Sequence, residues 1–213
     1  MEVVSVNVGM PRLVTWRGDV IKTGIFKQAV PGVRPLRRFK LEGDRQADLS
    51  VHGGKDKAVY AYASEHYDYW RTKWPRPDYP WGIFGENLST SGLLEEDVCI
   101  GDEFQIGTAR LVVTQPRMPC LKLGIRFGDC EIIKRFLESR RPGIYFGIVD
   151  EGALGPGDRI EQVRSDPHRL NLVEVLELIL DTSAPKSKLE RALAVPALAD
   201  DWKKDFTNRL TDQ

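Results

Sequence analysis

The sequence is poor in residues that staple or ligate. Three cysteines, Cys99, Cys120 and Cys130, and three histidines are spread over 213 residues. An odd cysteine count without CxxC spacing excludes a complete disulfide framework and a four-cysteine zinc or iron–sulfur site within one chain. The expected state is therefore reduced thiols in a cytoplasm. His52, His66 and His168 are not spaced as a metal set. No run of about 18 apolar residues occurs, so no transmembrane helix is expected. The start, with Glu2 and no basic stretch ahead of an apolar one, does not read as a secretory signal. Net charge is also missing: 31 bases stand against 31 acids. That removes the global electrostatic case for nucleic acid or an anionic membrane as partner. There is no GxGxxG loop, P-loop, GxSxG elbow or HExxH.

What is present is a globular composition, 41% hydrophobic and 29% charged. A chain of this length buries roughly 70% of its unfolded surface and needs no staple. Two textures divide it. Up to about residue 165 the chain is rich in glycine and β-branched residues, with turn signals at short intervals. Glu2–Val8 alternates as a half-buried strand. Leu13–Trp16 and Val20–Phe26 flank the turn Arg17-Gly18-Asp19. Ala58–Ala63 reads as a strand, followed by a helix capped by Ser64 and ending near Trp74, before Pro75. Val98–Ile100, Glu103–Ile106 and Ala109–Gln115 read as a meander. Asp129–Arg140 reads as a helix, and Ile144–Val149 and Arg159–Val163 as strands. Closely spaced short strands predict a β-barrel interrupted by helices. In 166–213 glycine stops. Asn171 and Glu174 have capping-box spacing, and helices are expected to about Asp181, from Pro185 to Ala194, and over Leu198–Leu210. The expected architecture is mainly β with helices, an α+β chain with a barrel domain over 1–165 and a three-helix domain over 166–213.

Charge is unevenly placed. Residues 107–128 hold Arg110, Arg117, Lys122 and Arg126 and no acid, and 34–40 hold four bases and no acid, whereas 85–103 hold six acids and no base. These stretches are either solvated strand faces or a basic cleft for a small anion such as phosphate. Cys120 lies in the first of them, in the stiff segment Gln115-Pro116-Arg117-Met118-Pro119-Cys120. Neighbouring cations favour the thiolate, the form that attacks or ligates; the alternative is an inert, buried thiol. Cys99 and Cys130 read as structural. In His52-Gly53-Gly54-Lys55-Asp56-Lys57, paired glycines let backbone N–H groups approach a ligand, or simply make a turn. In Gly85-Glu86-Asn87-Leu88, the Asn87 amide offers a donor and an acceptor to a heterocycle edge.

Read in order, five segments resemble one family: Leu41-Glu42-Gly43-Asp44-Arg45-Gln46-Ala47-Asp48, His52-Gly53-Gly54, Phe84-Gly85-Glu86-Asn87-Leu88, Ile100-Gly101-Asp102, and Gln115 to Cys120. The resemblance is to the MOSC domain, named for the C-terminal domain of molybdenum cofactor sulfurase. It is closest to its YiiM-like branch, whose three-helix domain the tail resembles. The resemblance implies a MOSC-type barrel and binding of the molybdenum cofactor, a pterin carrying phosphate and dithiolene; pyridoxal phosphate is not implied. It makes Cys120 the metal ligand and catalytic residue, and His52, Asn87 and Arg117 cofactor contacts, with Lys57 added from its position. Where relatives often carry Gly-Lys-Pro, this chain has Gly9-Met10-Pro11-Arg12, and Arg12 is the candidate replacement. The implied activity is reduction of small N-hydroxylated compounds, including purines and related bases, with electrons from a separate reductase. The alternatives are a persulfide carrier and a non-enzymatic regulator. The tail's nine acids against seven bases disfavour DNA, and its leucine faces suit packing within the chain or in a homodimer.

Overall fold

The computed structural model describes residues 1–47 and 53–211. In chain order, Glu2–Val8 (β1) precedes a hairpin of Arg12–Trp16 (β2) and Asp19–Thr23 (β3). The hairpin turns on Arg17 and Gly18, both at positive φ, as a two-residue turn matched to strand twist requires. Three short strands follow: Gln28–Val30 (β4), Arg34–Arg37 (β5) and Lys40–Leu41 (β6). Then come Val59–Ala63 (β7), Glu65–Lys73 (α1) and Leu88–Ser91 (β8). Glu103–Ile106 (β9) and Ala109–Pro116 (β10) form the meander, and Leu121–Phe127 (α2) and Glu131–Glu138 (α3) pack against each other. Ile144–Asp150 (β11), Gly152–Leu154 (β12) and Ile160–Arg164 (β13) complete the strands. The tail is Leu172–Leu180 (α4), Lys186–Leu193 (α5) and Asp200–Thr211 (α6).

Eight strands form one sheet in the order β13-β9-β10-β11-β7-β8-β1-β4. All neighbours are antiparallel except β7 and β8, which are joined through α1, as parallel strands need a crossover. The barrel expected from the sequence is not closed: among the described residues no ladder joins β13 and β4, the two ends of the sheet. Instead β1, next to the β4 end, is tied to the chain entering β13 by the bridge Glu2↔Arg159 and by backbone bonds from Val3 N–H to Asp158, from Gly157 N–H to Val3 and from Ile160 N–H to Met1. Val98–Ile100 is also not a strand. The Asp102 carboxylate accepts the Cys99 N–H at 2.9 Å and turns the chain there.

Two cores lie on the sheet. One combines the sheet with the tail, joining Phe104, Ile106, Leu111 and Phe146 to Leu172, Leu189 and Phe206. The other is aromatic and sits under α1, α2 and α3, with Tyr60, Tyr62, Tyr67, Trp70, Phe84, Phe127 and Phe136. The tail begins as expected: Asn171 accepts the Val173 N–H and Glu174 accepts the Asn171 N–H. Ser64 precedes α1 without making a side-chain cap; its hydroxyl donates to Glu65. No helix among the described residues is long and apolar enough to cross a membrane.

Candidate functional site

The cleft is built where segments that leave strand edges converge. The chain enters β7 through Gly53 and Gly54, both at positive φ, where a side chain would be strained. A Cβ on Gly53 would also press on Gln46 at 3.2 Å. This tight passage places Lys57 at the rim. The strand β10 ends at Pro116 and delivers Arg117 through Cys120 opposite it, with Cys120 as N-cap residue of α2. Loops at 24–27, 45–47 and Gly85 close the remaining sides. They leave a cleft of about 90 Å³ that opens to solvent.

Five cations line this space, Lys27, Arg45, Lys57, Arg117 and Lys122, and no acid lines it among the described residues. Lys27 is engaged from behind by buried Asp44 at 2.5 Å, and Lys57 by Asp201 of α6 at 2.7 Å. Arg117 is only 5% exposed. Its guanidinium lies over Tyr60 at 4.9 Å and Phe136 at 5.3 Å. Its Nη1 is buried with no hydrogen-bond partner among the described residues. Burial opposes its charge, but Tyr60, Tyr145 and Cys120 around it more than offset that, holding it above its ordinary value. Burial in turn pushes the Tyr60 hydroxyl well up and the Tyr145 hydroxyl up, against the pull of Arg117, so both rings stay protonated at neutral pH.

Four of the six residues expected from the sequence, Lys57, Asn87, Arg117 and Cys120, come together here. Asn87 is buried, and its amide already serves the protein. Its oxygen accepts the Tyr60 N–H at 3.1 Å and its nitrogen donates to Asp44 at 2.9 Å. In the structure it braces Tyr60 and Asp44. Arg12 is a correction: it does not line the cleft, and its guanidinium lies over the Phe26 ring at 3.7 Å. His52 lies outside the described residues. The other histidines are paired with carboxylates, His66 with buried Glu95 at 2.7 Å and His168 with Asp166 at 2.9 Å. No group of three or more His, Cys, Asp or Glu suited to a metal occurs among the described residues.

The sequence reading missed Lys27, Tyr60 and Tyr145. The tyrosines had a usable signal, since they lie in two apolar strands and pair across them, Tyr145↔Tyr60, with rings 5.1 Å apart. Lys27 had none: its partner is 17 residues away.

Behind this wall lies Glu86, fully buried. It accepts hydrogen bonds from the Tyr67 hydroxyl, the Gly82 N–H at 2.7 Å, the Phe84 N–H at 3.1 Å and the Ser89 hydroxyl at 2.9 Å. Burial pushes its carboxyl up, and these donors pull it back. On the opposite side α6 clasps the segments that carry Lys57 and Cys120. The Asp200 N–H donates to Asp56, Lys55 pairs with Asp200 at 2.5 Å, and the Trp202 indole donates to Gln115 at 2.7 Å.

Comparison with known proteins gives matches over most of the chain. Residues 48–161 match the MOSC domain, and residues 174–213 match the YiiM-like, 3-alpha helix domain. The Bacillus subtilis protein YflK is 37% identical, over 97% of this chain and 93% of its own length. A Gibberella moniliformis protein named reductase is 32% identical over 84% of this chain, which spans only 32% of that longer protein. The crystal structure of YiiM from Geobacillus stearothermophilus superposes with a TM-score of 0.83 at 31% identity, covering 98% of each chain.

Proposed function

The chain belongs to the MOSC domain family, and on that premise we propose that it holds the molybdenum cofactor in the cleft beside Cys120. There it reduces N-hydroxylated compounds, purines and related bases among them, by two electrons. The observation that carries this reading is Arg117: a buried, charged guanidinium with an unpartnered nitrogen, in a cleft without acids. An unmet buried donor is costly, and an anionic ligand removes the cost. The donor set fits the group. A cysteine thiolate is a soft ligand suited to molybdenum in a sulfur environment, and arginine and lysine suit a phosphate.

In this reading Cys120 ligates the metal, and Arg117 and Lys57 hold the anionic end of the pterin. When bound, the cofactor supplies the two-electron centre. The reaction balances as R–NH–OH + 2 e⁻ + 2 H⁺ → R–NH₂ + H₂O. The chain's own contribution is positioning. Stacking on Tyr60 and Phe136 keeps the Arg117 fork from swinging away, and protonated Tyr60 and Tyr145 wall the cleft with neutral aromatic surface. Three cysteines cannot hold an iron–sulfur cluster of their own, so the electrons come from a separate reductase, in a compartment where thiols stay reduced.

The test uses protein expressed in a cofactor-competent host. Molybdenum and pterin are expected in the purified protein, and with an artificial reductant it should convert an N-hydroxylated purine to the amine. Cys120→Ala should cut that conversion at least 100-fold while leaving the melting temperature within a few degrees. Undiminished conversion overturns the assignment. Protein that carries persulfide sulfur but never molybdenum transfers it to sulfur delivery.

A further inference from the structure

One helical turn along α2 from the cleft, three arginines crowd together. Lys122 lines the cleft, and Arg126 lies four residues on, on the same helix face. Arg126 and Arg12 share one ring: their guanidinium carbons lie 5.1 and 3.7 Å from the Phe26 centroid. Arg76 lies 5.0 Å from the centroid of Phe127, the residue after Arg126. Three nitrogens of this group, Arg76 Nε and Nη1 and Arg126 Nε, are buried without a hydrogen-bond partner among the described residues. None of the three arginines has a carboxylate within ion-pair distance among those residues; elsewhere Arg110, Arg164, Arg191 and Arg209 each do. Burial lowers the Arg126 guanidinium, and its neighbours Arg76 and Arg12 lower it further, against the opposing pull of Glu86 and Asp78. Like charges held this close, stacked on aromatic rings and without an ion pair among the described residues, form a preorganised cradle for a doubly charged anion.

We propose that Arg12, Arg76 and Arg126 bind the phosphate of the substrate, so that the preferred substrate is an N-hydroxylated purine mononucleotide rather than the free base. This rests on the reductase reading above. From Cys120 to Arg126 along α2 is about 9 Å at 1.5 Å per residue, a reach that a mononucleotide spans from base to 5′-phosphate. The same phosphomonoester chemistry could come from the cofactor, and the experiment separates the two sources.

Titration calorimetry on the full chain, cofactor-loaded, with AMP and adenosine as probes reads binding without any reduction step. A failed preference therefore leaves the reductase reading standing, and a failed reduction leaves the binding result standing. AMP should bind at least tenfold more tightly than adenosine, and inorganic phosphate should compete with it. The preference should fall to less than threefold in the Arg76→Gln, Arg126→Gln double variant. Should that variant fold poorly, Arg12→Gln, at an exposed position, should still weaken AMP severalfold and leave adenosine unchanged. Equal affinities, no binding of either probe, or a preference that survives the double variant overturns the proposal. So does an AMP preference seen only in cofactor-free protein, which gives the cradle to the cofactor's phosphate. Displacement of AMP by polyglutamate at lower concentration than by phosphate gives it to an acidic protein partner, and also overturns it.

Discussion

The helical tail and the cleft carry similar kinds of charge and use them in opposite ways. In the tail, charges answer one another. Arg191 meets Glu174 at 3.1 Å, Arg209 meets Asp205 at 3.5 Å, and Arg209 also donates to the Leu178 and Asp181 carbonyls. These groups are largely exposed or at helix ends, where pairs contribute little. The tail is held by what lies beneath, Leu172, Leu176, Leu189 and Phe206, each 1% exposed or less. In the cleft, cations gather without acids lining the space; Arg117 is buried with an unmet donor and no ion pair among the described residues, whereas Arg209, whose Nε is also unmet, keeps its carboxylate and carbonyl partners. A neutral total therefore hides two regimes, one whose charges are largely paired and one whose cations gather in a cleft that no acid lines among the described residues.

That contrast can be broken by substitution. Leu176→Ala, in the tail, should cost roughly 2–5 kcal/mol of unfolding free energy, read by denaturant titration, with phosphate affinity per folded molecule unchanged; a parallel loss of affinity would merge the two regimes. Arg117→Met should reverse the pattern. Phosphate binding by calorimetry should weaken at least tenfold, about 1.4 kcal/mol, while the melting temperature moves less than for Leu176→Ala, because the side chain removed had an unmet buried donor. Asn171→Ala should cost about 1 kcal/mol through loss of the cap on α4, measured by thermal unfolding. The smallest effect belongs to Arg71→Ala. Its pair with Asp68 is solvent-exposed, and a loss under about 0.5 kcal/mol is expected; a larger one would show that exposed pairs matter in this chain.

Local rules made part of this fold readable. The Asn171–Glu174 capping box and the Arg17-Gly18 turn involve residues within three positions of each other, so the sequence shows both partners at once. Features that depend on distant partners were hidden. Helix α2 is not among the elements expected from the sequence, and Gly124 stands in its middle. The glycine is there because a Cβ would come within 3.0 Å of the Cys130 sulfur and 3.1 Å of its Cα, so it lets α2 and α3 pack close. The same contact supports the structural reading of Cys130. Arg12 is suggested for the cleft by its motif, but it lies in the two-stranded β2–β3 hairpin outside the main sheet, and it stacks on Phe26 instead. Whether the expected barrel closes was hidden for a similar reason: strand count and spacing were legible, but closure depends on pairing between distant strands, and β1 meets the chain entering β13 at one bridge.

The grip of α6 on the opposite segments limits how this architecture can be recombined. Asp56 caps the first turn of a helix that begins 144 residues later, and the acids of that turn answer Lys55 and Lys57. A tail grafted from another protein would have to bring two consecutive acids and an indole to the same turn, or the lysine at the mouth of the cleft would lose its anchor. The seam between the two parts is therefore a matched joint, and its halves are expected to change together or not at all.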